Sequence, residues 1–302
     1  MALVLIPGDV IWSYAVAGVV AATWLVTLLL RGSWQAAQGL DKVILLGPPC
    51  YALAIAAFGV EHFTQTKGIA SIVPAWIPWH EFWVYLIGAC FIAAALSLVT
   101  GIQTRLAASL LAATFFLFVV LMDAPAWAQI PQNRFALALM LRELSFSGGA
   151  LALAASLSAQ QHPRGAHVFA TIARYFVAIP VLVYCVQQFM HGDHVPGIPL
   201  EAMTPTWIPG HALWTWLTAG VYAVAGPLLL IGRKSRAAAT ALGLTVLFTV
   251  LVVYVPKALA EHANLEGLNY FFDTLMYAGA LLMLAGAMPR PQLDPGHPPK
   301  TR

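Results

Sequence analysis

The sequence predicts an all-α integral membrane protein of about nine transmembrane helices, arranged as one N-terminal helix plus two parallel-repeat four-helix bundles. Three observations lead there. The 302 residues are 60% hydrophobic and 9% charged, with a mean hydropathy of +0.79, which is far more apolar than a soluble domain. Apolar runs of about 20 residues, enough to cross about 30 Å of hydrocarbon as helix, recur nine times with the charges mostly between them. No strand-period alternation accompanies them, so helices must satisfy the backbone. Finally, Pro74-Ala75-Trp76-Ile77-Pro78-Trp79-His80 returns 131 residues later as Pro205-Thr206-Trp207-Ile208-Pro209-Gly210-His211.

Holding that offset from Pro74/Pro205 to Pro125/Pro256 gives 17 identities in 52 positions, among them Trp83/Trp214, Gly101/Gly232 and Arg105/Arg236. Alanine and leucine matches come easily in an apolar chain. A matched Pro-x-Trp-Ile-Pro-x-His-x-x-Trp run does not, and it marks an internal duplication.

The first apolar segment, 10–30, is too long and too poorly flanked for a cleavable signal peptide, so residues 1–40 are read as a retained N-terminal transmembrane helix. The first four-helix repeat occupies 41–158, with spans at 43–62, 80–100, 104–124 and 134–156. A polar linker, 159–166, leads to the second repeat, 167–288, with spans at 168–190, 211–231, 237–257 and 267–287. Four spans per repeat make both copies point the same way, with their pseudo-twofold axis along the membrane normal. Gly101–Arg105 and Gly232–Arg236 close tight hairpins between antiparallel neighbours, and Pro48-Pro49 and Pro180 are candidate kinks. Residues 289–302, with five prolines, read as a disordered cytoplasmic tail.

Alternating the connections puts eleven of the fifteen Lys and Arg residues on one side. The positive-inside rule then places the N-terminus outside and the C-terminus in the cytoplasm. Arg105 and Arg236 anchor the hairpins at the cytoplasmic headgroups in this reading. Six of nine histidines and eight of ten tryptophans collect at the outer face, which is therefore the expected working surface. The net charge of +3 reflects this topology, so the partner is the lipid bilayer and no nucleic-acid partner is expected. Cys50, Cys90 and Cys185 form no Cys-x-x-Cys pair, which argues against dithiol chemistry and iron–sulfur ligation.

Glu143 and Asp273 are the sharpest chemical candidates. Aligning Gly149-Ala150 on Gly279-Ala280 puts them at matching depth in the last helix of each copy. A carboxylate in hydrocarbon costs about 2.5–3.5 kcal/mol on insertion scales, so such groups face a partner, the bundle or a wet cavity. Arg142 is the available partner, and a structural latch between helices is the competing account. His80 and His211 open the second helix of each copy, with Trp83 and Trp214 three positions on and on the same face. A proton carrier beside an aromatic plate suits a quinone head group, while an ordinary interfacial belt explains the same residues. Glu61-His62, His191-x-Asp193-His194 and Glu261-His262 have metal-compatible side chains, yet their spacing singles out no ligand set, and solvated loop residues explain them better.

The run Gly101-x-x-Thr104-Arg105-x-Ala107-Ala108 closing a helical hairpin, preceded by Gly59-x-x-His62 at the end of the previous helix, resembles the DoxX family, as does the length of the four-helix unit. The resemblance covers both copies. It implies a DoxX/DoxD-like protein of the bacterial inner membrane that interacts with quinone as a subunit or accessory of a membrane redox system. On that reading, Glu143, Asp273, His80 and His211 serve the chemistry, and His62, Trp83 and Trp214 serve the cofactor. The chain carries no electron carrier of its own, so a redox enzyme subunit or another membrane protein would be its partner. Whether it is itself an enzyme stays open. A membrane chaperone, assembly factor or scaffold is the alternative expectation, and a small-solute transporter with its site between parallel repeats is a second.

Overall fold

A computed structural model describes residues 8–262 and 264–290, so the expected tail lies outside the described residues apart from its first two positions. Among the described residues, nine helices are long and apolar enough to cross a membrane. They are α1 (Gly8–Arg31), α2 (Gly47–Thr64), α3 (His80–Thr100), α4 (Thr104–Gln129), α5 (Arg134–Ser158), α6 (Pro163–Met190), α7 (His211–Leu230), α8 (Ser235–Ala260) and α9 (Leu265–Ala287). The only β pairing among these residues is an isolated bridge between His194 and Met203.

Three boundaries differ from the sequence expectation for local reasons. α6 starts at Pro163, leaving 159–162 as the connection, because proline suits a first helical turn where its missing N–H is not needed. Pro48 and Pro49 likewise stand in the first turn of α2, just after the turn at Leu45-Leu46 that parts it from the short helix Asp41–Ile44, whereas Pro180 does lie inside α6. α4 and α8 run past their expected ends through π turns at Val119–Asp123 and Val250–Tyr254. The π turn shifts the hydrogen-bond register just ahead of Pro125 and Pro256, so the helix continues through both prolines.

α5 and α9 cross at the centre of the molecule, α5 packing also on α4 and α6, and α9 also on α8 and α2. Glycines set these crossings. A Cβ at Gly148 would stand 3.0 Å from the Ala173 carbonyl oxygen of α6, and one at Gly279 would stand 2.8 Å from the Gly47 carbonyl oxygen of α2. Of the central apolar window of α9, 83% is buried, against 17% for α1, which packs at the periphery on α2 and α3.

The Pro-x-Trp-Ile-Pro-x-His run has a specific local role. Trp79 and Gly210 take left-handed φ values of 56° and 67° immediately before α3 and α7. The indole nitrogens of Trp83 and Trp214 donate to the carbonyls of Pro78 and Pro209 at 3.0 and 2.9 Å, tying each turn to the helix it precedes. At the other end of the molecule, Arg236, expected as a headgroup anchor, bonds to the protein itself. It ion-pairs with Asp41 at 2.5 Å and donates to the Ala285 carbonyl at 2.9 Å, while Arg105 donates to the Gln161 side chain at 2.6 Å.

Candidate functional site

A cavity of about 720 Å³ opens among α2, α3, α4 and α5 and is closed on its far side by α9. Its walls are apolar and aromatic, from Phe58, Phe91, Phe115, Phe118 and Phe146. Phe115 stacks on Phe91 at 5.4 Å and meets Phe146 edge-on at 5.6 Å, so the rings brace one another. Ile72, Trp76 and Pro78, from the segment following α2, and Trp83 also line the cavity.

Polar groups gather at one end of this apolar chamber. Arg142 Nη1 meets Asp273 Oδ2 at 2.6 Å, and its Nη2 meets Glu143 Oε1 at 3.4 Å. The guanidinium carbon also lies 5.8 Å from the centre of the Phe146 ring. Asp123 and Glu143 are within hydrogen-bonding reach of each other, and no donor group reaches Asp123 Oδ2 or Glu143 Oε2. With its amide nitrogen turned towards the carboxylate, Asn269 of α9 donates to Glu61 Oε1 at 2.5 Å and Oε2 at 3.1 Å. Glu61, Asp123, Glu143 and Asp273 thus present four carboxyl groups to the cavity against one guanidinium. The arrangement can bind a ligand through hydrogen bonds at its polar end, exclude water with its aromatic walls, and hold or release protons.

The α4 π turn places Asp123. It is the last residue of that turn, where the changed helical register turns its side chain into the chamber instead of along the expected span end. His62 comes from the last turn of α2. Its Nδ1 donates to the Phe58 carbonyl at 2.7 Å, since a carbonyl only accepts, leaving Nε2 as the free ring nitrogen.

Of the residues expected from sequence, the cavity gathers Glu143, Asp273, His62 and Trp83. His80, His211 and Trp214 do not line it, and Trp214 packs instead on Phe248 at 5.6 Å. Asp273 and Glu143 are not at equivalent helix positions. α5 and α9 begin from asparagine N-caps, Asn133 and Asn264, and counting from these caps sets Asp273 at the position of Arg142. The sequence pattern singles out neither Asp123 nor Asn269, and it offers Glu61 only beside His62 as a metal-compatible pair. The available signal was that the apolar run of α4 continues past Asp123. Among the described residues, no group of three or more His, Cys, Asp or Glu is gathered as a metal site.

The 191–204 segment forms a second polar centre. His194 Nε2 faces Arg134 Nη2 at 3.0 Å, and His191 lies edge-on to His194 at 5.2 Å. Partial burial, and then the neighbouring Arg134, hold the His194 imidazole below its ordinary pKa, and His191 is lowered in the same way.

A family model described as a domain of unknown function (DUF8561) matches residues 51–134. That stretch contains Glu61, His62, Trp83 and Asp123 and ends before Arg142. No curated protein and no solved structure matches the chain.

Proposed function

We propose that this chain is an integral membrane protein of the inner membrane, its N-terminus outside and its C-terminus cytoplasmic, built as a tandem pair of DoxX-like four-helix units behind one N-terminal helix. In this reading α2–α5 form the first unit and α6–α9 the second. The cavity of the first unit binds a membrane-borne quinone, and the protein serves as a quinone-interacting subunit or accessory of a membrane redox system. The observation that carries this reading is the pairing of an aromatic chamber with a polar end, where Asp123, Glu143 and Asp273 line the cavity together with Arg142. A quinone needs both features, since its ring and tail are apolar while its oxygens accept hydrogen bonds and take up protons on reduction.

The donor set fits such a ligand. Phe91, Phe115 and Trp83 offer ring faces and edges, and Asp123 Oδ2 and Glu143 Oε2 await a donor that a proton or a ligand hydroxyl would supply. The quinone would supply the two-electron chemistry, and the electrons would come from a partner. The chain's own residues bind and orient the ring, exclude water and hold protons at the two carboxyls. Titration of the purified protein in nanodiscs with a short-chain ubiquinone analogue, read by tryptophan fluorescence, tests this. Saturable quenching that weakens in Trp83→Phe and Glu143→Gln supports it, and absence of saturable binding contradicts it.

One observation favours a second reading. The Arg142–Asp273 pair spans α5 and α9, the junction between the two units, where parallel-repeat transporters place a substrate site. Proton-coupled flux of small acids into proteoliposomes, abolished by Asp273→Asn, would support transport over quinone binding.

A further inference from the structure

The first unit has an open cavity, and the same place in the second unit is filled by the chain itself. The correspondence follows from contacts. Gly148 meets Ala173 and Val177 of α6 where Gly279 meets Gly47 and Tyr51 of α2, which pairs α6 with α2 and sets Gln188 at the place of His62. The offset of 131 shared by the Pro-x-Trp-Ile-Pro-x-His runs and by the Asn133 and Asn264 caps sets Tyr222, Tyr254 and Thr274 at the places of Phe91, Asp123 and Glu143.

Three of these second-unit residues hydrogen-bond to one short segment, Pro196-Gly197, and the fourth, Thr274, stands beside it. Tyr254 donates its hydroxyl to the Pro196 carbonyl, and Tyr222 and Gln188 donate to the Gly197 carbonyl at 3.1 and 3.3 Å. A Cβ on Gly197 would stand 3.3 Å from Thr274 Cγ2. The flanking Val195, Ile198 and Leu200 are buried, so apolar side chains and prolines fill the chamber around two carbonyl oxygens. Gly197 holds a left-handed φ of 89° to turn there, a conformation that L side chains rarely adopt. The four counterparts, His62, Phe91, Asp123 and Glu143, all line the open cavity of the first unit.

We propose that Pro196-Gly197 is a built-in occupant of the second unit's copy of the site, and that His62 and Asp123 are the residues that meet the corresponding two oxygens of a ligand in the first unit. This rests on the quinone-cavity reading above and sharpens it by naming the contacts. The two units differ in the chemistry of the contacts. Tyr254 and Gln188 are fixed neutral donors facing carbonyls that never change, whereas Asp123 and His62 can each donate when protonated and accept when not. A permanent occupant needs only the first kind. A ligand whose oxygens alternate between carbonyl and hydroxyl is matched by the second.

The test compares affinities of the full-length protein in nanodiscs for decylubiquinone. His62→Phe and Asp123→Leu should each weaken binding by about ten-fold, the loss of one good hydrogen bond. His62→Gln and Asp123→Asn, which restore an amide donor of the kind Gln188 provides, should stay within about three-fold of wild type. Tyr254→Phe and Gln188→Leu, which serve only the built-in occupant, should leave affinity unchanged. If His62→Phe or Asp123→Leu fails to give a monodisperse particle, His62→Leu and Asp123→Ala take its place. Wild-type binding that survives both apolar substitutions overturns the contact assignment alone, as does weakening by Tyr254→Phe as large as that by Asp123→Leu. Absence of wild-type binding overturns both the assignment and the cavity reading.

Discussion

Arg142 and Asp273 lie 131 residues apart in the chain and 2.6 Å apart in space, one on α5 and the other on α9. The spacing equals the offset of the Pro-x-Trp-Ile-Pro-x-His runs, so a cation at one position meets an anion at its counterpart where the two central helices cross. Both side chains are largely buried, at 17% and 7% exposure. Such a pair contributes little compared with a well-packed apolar pair, but losing one partner strands a charge.

Arg142→Met should therefore destabilise the protein by about 3–5 kcal/mol, because Asp273 and Glu143 lose their shared cation. Asp273→Asn should cost less, since Arg142 keeps Glu143. The double substitution Arg142→Met with Asp273→Leu should recover much of the loss. Thermal unfolding of the detergent-solubilised variants, followed by tryptophan emission, checks the order. Equal losses in the single and double variants would sink the latch.

The indole latches predict a separation of stability from binding. Trp83→Phe and Trp214→Phe each remove one hydrogen bond to a proline carbonyl, worth about 0.5–1.5 kcal/mol. Only Trp83 also lines the cavity. Parallel melting and ligand titration should show both variants slightly destabilised and Trp83→Phe alone impaired in binding.

Helix crossing at Gly279 gives a steric prediction. A methyl group there would lie 2.6 Å from the Tyr51 backbone nitrogen and 2.8 Å from the Gly47 carbonyl. Backbone cannot yield as a flexible side chain does, so Gly279→Ala should separate α9 from α2 and cost about 1–3 kcal/mol by overpacking. Gly220→Ala, where a Cβ meets nothing within 4 Å, is the matched control and should be neutral. Thermal melts of the two variants distinguish them.

His194 makes the 191–204 segment sensitive to acid. Its pKa is lowered in the folded protein by partial burial and by Arg134, so the unfolded chain takes up a proton near the ordinary value of about 6.5 while the folded one resists. The stability tied to the neutral imidazole is present above that value and is lost as pH falls below it. Protection of residues 191–204 against hydrogen exchange, taken relative to the intrinsic rate at each pH, should fall as pH drops below about 6.5, and His194→Gln should flatten the response. An identical pH response in that variant would remove His194 as the cause.

The helix pattern is legible because runs of about 20 apolar residues leave a direct mark in hydropathy, and the nine long apolar helices fall where those runs lie. The site was less legible. Aligning two glycine-containing pairs shifted the last helices by one residue, which joined Asp273 to Glu143 and hid its relation to Arg142; the asparagine caps correct the register. Asp123 falls at the end of the expected 104–124 span, and a π turn that carries the helix on through Pro125 leaves no simple mark in sequence. Pro196-Gly197 lay in what read as an outer polar loop between His194 and Glu201. The run Val195–Leu200 holds no charged residue, and that was the available sign that this stretch turns inward.

The most direct test of the central claim is site mapping with a photoreactive quinone analogue in the native membrane, followed by mass spectrometry. The account predicts saturable adducts on the cavity-lining turns of α2, α3 and α4, around His62, Phe91 and Asp123, displaced by unlabelled quinone and absent from 191–204. Labelling that does not saturate, or that concentrates on the Trp207–Trp216 face of the second unit, would contradict it.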